Sequence, residues 1–113
     1  MNQLGITANY AGFHYVSHAV LLITEDTSRL LWVTKRLYPE VAKKYHTSWQ
    51  RVERDIRTVI AIAWETNRLL LEALAGRHLD RRPQPSQFLA ALATAVLAEE
   101  AIRRADWPTG TDP

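Results

Sequence analysis

The apolar residues of this 113-residue chain recur at spacings of three and four rather than two, the pattern of helices with one buried side. Glycine and proline, with 4 and 5 residues, interrupt the pattern only sparsely. The pattern predicts an all-α fold of six helices. We expect the domain over residues 12–105, a flexible N-terminal arm over 1–11 and a flexible C-terminal tail over 106–113.

Capping signals locate the first three helices. The first follows Gly12, and the second has Ser28 as its N-cap. The third is short and runs from Pro39 through Tyr45, because proline in the first turn gives up an N–H that no helix bond uses. The apolar residues expected to face inward are Phe13, Val16, Ala19, Val20 and Ile23 in the first helix, and Leu30, Leu31, Val33 and Leu37 in the second.

The fourth helix is predicted over residues 48–64. Thr47 and Gln50 have the spacing of a capping box, in which each side chain accepts from the other residue's backbone N–H. One side of this helix is apolar and the opposite side is polar. The apolar positions are Trp49, Val52, Ile56, Val59, Ile60 and Ala63.

Two further helices complete the prediction. The fifth covers about 65–75 and stops at Gly76, and the proline- and arginine-rich stretch 77–85 is predicted to be an exposed loop. Ser86 is the predicted N-cap of the last helix. Its expected inward residues are Phe88, Leu89, Leu92, Val96 and Leu97.

A short third helix, a tight turn and a longer fourth helix with a polar outer side predict a helix-turn-helix. Small Ala42 lies where the two helices must approach closely, and Val52 lies ten residues later, where an apolar residue locks them together. Many helical hairpins share this pair, so the pattern alone leaves DNA binding and ordinary packing both open.

Positive charge is concentrated around this predicted motif. Between Lys35 and Arg57 lie seven basic residues and three acidic ones, although the net charge of the whole chain is only +2. Such a local excess is typical of a surface that contacts phosphates. The seven basic residues are Lys35, Arg36, Lys43, Lys44, Arg51, Arg54 and Arg57.

The outer side of the fourth helix carries groups that read base edges. Arg54 can donate two hydrogen bonds to guanine, and Glu53 can accept one from cytosine. We predict that Gln50, Glu53, Arg54 and Thr58 read bases and that Lys43, Lys44, Arg51 and Arg57 contact phosphates. The alternative is a solvated face with pairs such as Glu53 to Arg57.

Other classes of protein receive little support. The chain has no cysteine, its four histidines are scattered, and only His14 and His18 have a helical spacing that suits a metal, so we expect neither metal nor cofactor. It has no nucleophile elbow or phosphate loop, so we expect no enzyme and no catalytic residue. Without a membrane span or signal peptide, we expect a cytoplasmic, nucleoid-associated protein.

Two segments carry a resemblance to a known family. They are Lys35-Arg36-Leu37-Tyr38-Pro39-Glu40-Val41-Ala42-Lys43-Lys44-Tyr45, and Arg51-Val52-Glu53-Arg54 with Ile56-Arg57 and Ala63-Trp64. They resemble the C-terminal effector domain of stage zero sporulation protein A, a sporulation response regulator. The similarity extends from Gly12-Phe13-His14-Tyr15 to Pro85-Ser86-Gln87-Phe88, about three-quarters of the chain.

The resemblance implies a six-helix transcription factor that binds double-stranded DNA at a short box containing TGTCGAA. Arg51, Glu53, Arg54 and Arg57 match family positions on the DNA-reading helix. It also implies RNA polymerase as a further partner.

The sequence departs from the family in several places. Asp55 replaces a small residue and Thr58 replaces a histidine, which predicts an altered or weaker box preference. The loop 77–85 is shorter than its counterpart, which puts the polymerase contact in doubt. The eleven residues before Gly12 are too few for the family's receiver domain, so we expect no gating by phosphorylation.

A second function remains open from the sequence, namely a protein-interaction module that pairs with a full-length relative and does not itself control promoters. The last helix is the candidate surface for such pairing or for a homodimer, although core packing is the more frequent use of such residues. Its apolar residues are Leu89, Leu92, Val96 and Leu97.

Overall fold

The computed structural model describes residues 11–111, and the side chains of residues 11–105. This part of the chain is helical and contains no strand, so the all-α prediction is confirmed. Its helices are α1 (Ala11–Glu25), α2 (Tyr38–Lys44), α3 (Trp49–Thr66), α4 (Arg68–Ala75) and α5 (Pro85–Thr111). A 3-10 segment (Thr27–Trp32) and a π-helical turn (Val33–Leu37) connect α1 to α2.

Helix α3 lies at the centre of the fold and contacts each of the other four α-helices. The residues of its apolar side that are fully buried are Val52, Ile56, Val59, Ile60 and Ala63, as predicted. Trp49, predicted to face inward, is 37% exposed at the first position of α3. Burial of each large side chain contributes about 1.5 to 3 kcal/mol, so this side of α3 fixes the helix in the fold.

Two helices approach each other very closely where α1 begins. A Cβ atom added to Gly12 would lie 2.5 Å from the backbone carbonyl oxygen of Asp55 and 2.6 Å from Cγ2 of Val59. Real Cβ atoms do not approach so closely, and the carbonyl of a helix cannot move aside cheaply. Only glycine therefore permits this crossing of α1 and α3.

The prediction of the second helix is wrong in the type of helix and in the residue that caps it. Residues 27–37 form the 3-10 segment and the π-helical turn instead of an α-helix, and Asp26 rather than Ser28 is the N-cap. The Asp26 side chain accepts from the Ser28 backbone N–H at 3.0 Å and from the Ser28 hydroxyl at 2.6 Å. Leu31, predicted to face inward, is 74% exposed.

The cause of this difference is a contact that is distant in sequence. The Arg29 guanidinium donates to both carboxylate oxygens of Glu40, at 3.0 and 3.2 Å, and to the backbone carbonyl of Leu22. These bonds connect the segment to α1 and α2, and they determine its path. Leu37, at its end, is fully buried as predicted.

The predicted N-cap of α3 is wrong by one residue. Ser48 is the N-cap, and its hydroxyl oxygen accepts from the Arg51 backbone N–H at 3.2 Å. The predicted Thr47 instead belongs to the preceding turn, where its N–H donates to the Ala42 carbonyl. The capping-box pattern located the start of the helix but not the residue that caps it.

The boundaries of the last two helices also shift by a few residues. Helix α3 continues to Thr66, and the Asn67 side chain caps α4 by accepting from the Leu70 N–H at 3.2 Å, so α4 does not begin at Glu65. Helix α5 begins at Pro85 without Ser86 as N-cap. The Gln87 side chain accepts there from the Gln84 N–H at 2.9 Å.

Helix α5 packs on the core only through its first part. Phe88 and Leu89 are buried as predicted, but Val96 and Leu97 are exposed, because the core contacts of α5 end near Ala93. The helix is assigned through Thr111, into the predicted tail, whereas residues 1–10 of the predicted arm and 112–113 of the tail lie outside the described residues. The domain limits stay a prediction.

None of the helices within residues 11–111 combines the length and the apolar character that crossing a bilayer requires.

The crossing at Gly12 yields a stability prediction. Glycine to alanine usually stabilises a helix by about 0.5 to 1 kcal/mol, but Gly12→Ala is expected to lower the free energy of unfolding by about 1 to 3 kcal/mol because of the added contact with Asp55 and Val59. Urea unfolding measures the change. Ser17→Ala, on the exposed side of α1, is the control and is expected to have little effect. A Gly12→Ala protein as stable as the control would contradict the close crossing.

Candidate nucleic-acid interface

The turn between α2 and α3 is closed by backbone hydrogen bonds. His46 adopts a left-handed conformation with φ 55°, which lets its N–H donate to the Lys43 carbonyl at 3.4 Å and the Thr47 N–H donate to the Ala42 carbonyl at 3.0 Å. Ala42 and Val52 are both buried, as predicted for two closely packed helices. This closure fixes the direction in which α3 leaves the turn.

Tyr45 connects the same turn to α1. Its ring centroid lies 5.3 Å from that of Tyr15, 6.0 Å from that of His18 and 6.4 Å from that of His14. The two histidines therefore face an aromatic ring. Within residues 11–105, no group of three histidine, aspartate or glutamate side chains is arranged to hold a metal ion.

All eight residues predicted to contact DNA lie on the last turn of α2 or on the first three turns of α3. The two lysines of α2 are exposed, and of the six predicted contact residues on α3 only Glu53 is partly buried. The exposed ones are Lys43, Lys44, Gln50, Arg51, Arg54, Arg57 and Thr58. The predicted residues thus belong to one continuous stretch of chain, formed by the end of α2, the turn and the first part of α3.

Acidic neighbours hold the arginines of α3. Asp55 lies between two of them, with Oδ1 3.5 Å from Arg54 Nε and Oδ2 3.6 Å from Arg51 Nε. Glu53 Oε2 lies 3.8 Å from Arg57 Nη2, the pair that the sequence had suggested. The arginines of these pairs are exposed and the distances are long, so each pair contributes at most about 1 kcal/mol and a stronger anion can displace it.

Asp55, which the sequence marked only as a departure from the family, is held between α1 and two arginines of α3. Its side chain is only 19% exposed, and its backbone lies against Gly12 of α1. The carboxylate is therefore held in place, whereas the Arg54 side chain beside it is 70% exposed. The i,i+4 spacing of Arg51 and Asp55 is the sequence signal that could have revealed this arrangement.

Two hydroxyl groups beside the arginines have restricted chemistry. The Thr58 hydroxyl donates to the Arg54 carbonyl at 3.1 Å, so its proton is already engaged within the helix. Burial raises the pKa of Tyr38 to about 12, and the charge of Glu53 acts in the same direction while Arg57 opposes it. Tyr38 is therefore a neutral core residue near neutral pH.

Other cations have no acidic partner. Among the side chains of residues 11–105, six lysines and arginines make neither an ion pair nor a cation–π contact, in contrast to the arginines of α3. These are Lys35, Lys43, Lys44, Arg77, Arg81 and Arg82. Arg68 instead lies over the ring of Trp64, 3.8 Å from its centroid.

Comparison with known protein families places the chain in a described family. The family described as sporulation initiation factor Spo0A C terminal matches residues 1–96 of the chain. The match includes all eight predicted contact residues and ends within α5. This family consists of DNA-binding effector domains of a sporulation regulator, and the resemblance inferred from the sequence is confirmed.

Proposed function

This chain belongs to the sporulation initiation factor Spo0A C-terminal family, and we propose that it regulates transcription by reading a TGTCGAA-like box as a helix-turn-helix, with α3 in the major groove. The observation that carries the proposal is the outer face of α3. Exposed Arg54 and Gln50 lie there with Glu53, immediately after a turn preceded by two unpaired lysines. A major groove about 12 Å wide accepts a helix of this kind.

The base-reading roles follow from hydrogen-bond chemistry. Arg54 donates two bonds to guanine O6 and N7, and Glu53 accepts from the cytosine amino group. Adjacent cytosine and guanine occur in the proposed box, which suits adjacent Glu53 and Arg54. Gln50 can pair with adenine, and Thr58 retains oxygen lone pairs that can accept a bond from a base.

The phosphate-contacting roles are assigned to Lys43, Lys44, Arg51 and Arg57. The two lysines are exposed and have no acidic partner among the described side chains, so their charges are available to the DNA backbone. Contacts of this kind set the position of a protein on the duplex without reading its sequence. We propose that the protein acts where chromosomal DNA lies, in the nucleoid.

Two further contacts stay predictions. RNA polymerase is predicted as a partner from the family resemblance alone. A homodimer through α5 has Val96, Leu97 and Ile102 as its exposed large apolar residues, but Glu99, Glu100 and Arg103 continue the helix on the side of Val96. The apolar surface is therefore short.

Two alanine variants test the reading helix. Arg54→Ala is expected to weaken binding to the box duplex by about 1 to 3 kcal/mol and to relax specificity at one base pair, because two bonds to guanine are lost. Lys44→Ala is the matched control, since it removes one exposed cation and is expected to weaken all duplexes alike. Kd values on the box duplex, on single-base variants of it and on a scrambled duplex measure both effects.

Equal losses for Arg54→Ala on the box and scrambled duplexes would contradict a base-reading role. If the wild type also ignored the box and formed a stable protein complex, the protein-interaction module would be favoured.

The position of Asp55 yields a separate prediction. Asp55→Asn removes the charge that holds Arg51 and Arg54, and it removes a negative charge beside the phosphates. Binding to DNA is expected to strengthen by about three- to tenfold, which corresponds to about 0.7 to 1.4 kcal/mol. Glu99→Gln is the matched control, because Glu99 also pairs with an arginine of its own helix, Arg103, but lies on α5.

The comparison of the two variants isolates the local effect from the change in net charge. Should Asp55→Asn bind no more tightly than Glu99→Gln, the restraint attributed to Asp55 would be wrong.

A further inference from the structure

We propose that the loop between α4 and α5 supplies a second contact to the DNA backbone, through Arg82 in a cleft that it shares with Arg57 of α3. This inference rests on the proposed function, because it extends the same DNA-binding face. The cleft has a volume of about 340 Å³ and is lined by Arg57, Ile60, Arg82, Pro83, Gln84 and Pro85. The cleft lies between this loop, which the sequence predicted only to be exposed, and α3, the helix predicted to read DNA.

The loop is anchored on both sides of Arg81 and Arg82. Leu79 is buried in the core, and its backbone N–H donates to Glu72 Oε2 at 2.8 Å. The same carboxylate oxygen lies 2.7 Å from His78 Nδ1. Beyond the arginines, Pro85 is buried at the start of α5.

These anchors restrict the backbone between Leu79 and Pro85, and Pro83 restricts it further. Arg81 and Arg82 therefore extend from a loop whose path is largely fixed before any ligand binds. A preorganised contact loses less entropy on binding than one on a free loop.

The charge of the cleft points to a polyanion. Asp80 is the one acid in the loop sequence, and its carboxylate lies 3.4 Å from His78 Nε2 rather than on an arginine. Arg82 thus has no ion pair among the described side chains, and it lines the cleft together with Arg57, whose guanidinium lies 3.8 Å from Glu53. Two like charges at one cleft favour the binding of an anion there.

The phosphates of a duplex fit this cleft better than an isolated anion does. Arg57 lies on the outer side of α3 together with Arg54, so a duplex on that side passes close to the cleft. The N-terminal end of α5 lines the same cleft and adds partial positive charge. Arg82 is therefore expected to contact a phosphate beside the base pairs that α3 reads.

The test compares Arg82→Gln with Arg77→Gln, which makes the same charge change in the same loop at a residue that does not line the cleft. Both are titrated into a box duplex and a scrambled duplex with equal flanks, over a range of salt concentrations. Arg82→Gln is expected to weaken binding to both duplexes about three- to tenfold and to reduce the salt slope by about one, with the box preference unchanged.

The failures of the two proposals are distinguishable in this experiment. Box preference of the wild type tests the proposed function, and the difference between the two variants tests the contact through Arg82. Arg82→Gln behaving as Arg77→Gln does would overturn the contact while leaving box reading intact. Polyglutamate, a model of an acidic protein, is titrated as well. If Arg82→Gln lost binding to polyglutamate while its binding to DNA stayed unchanged, the contact with DNA would also be overturned and the cleft would be assigned to an acidic protein.

A scan of single methylphosphonates locates the contact. Each substitution removes the charge of one phosphate in the box duplex. We expect one position at which the substitution weakens the wild type and Arg77→Gln but not Arg82→Gln. If every position affected the three proteins equally, the assignment of Arg82 to a phosphate would be overturned.

Discussion

The close crossing of α1 and α3 at Gly12 is the constraint on which the arrangement of the proposed DNA-binding face depends. It brings the backbone of α1 against the carbonyl of Asp55, while Val52, Ile56 and Val59 fill the core on the same helix. With one side held in this way, α3 can present its polar side only outward. The ring of Tyr45 also packs the turn between α2 and α3 against α1.

Charge on the outer face is balanced rather than simply positive. The arginines of α3 pair with Asp55 and Glu53, whereas the lysines of α2 and the arginines of the α4 to α5 loop have no acidic partner among the described side chains. In the proposed complex, the unpaired cations attract the phosphates, and the paired arginines exchange a weak contact for bonds to DNA. Because the paired arginines give up a contact when they bind DNA, they are expected to bind only where the bases offer them good hydrogen bonds.

The sequence was sufficient for features that depend on local periodicity. The apolar side of α3 and the burial of Ala42 and Val52 follow from spacing alone, and the family resemblance rested on the same segments. The path of residues 27–37 could not be predicted, because Arg29 bonds to Glu40 and Leu22 across the fold and overrides the apolar spacing. The restraint by Asp55 was missed, because it depends on where α1 holds the backbone.

The central claim is that α3 reads a specific base sequence. The most direct measurement is the titration of the wild-type protein into a labelled duplex carrying TGTCGAA and into a scrambled duplex of equal length, at about 150 mM salt so that phosphate contacts do not mask base reading. The account predicts a preference for the box of about a hundredfold or more. Equal and weak binding to both duplexes would contradict it.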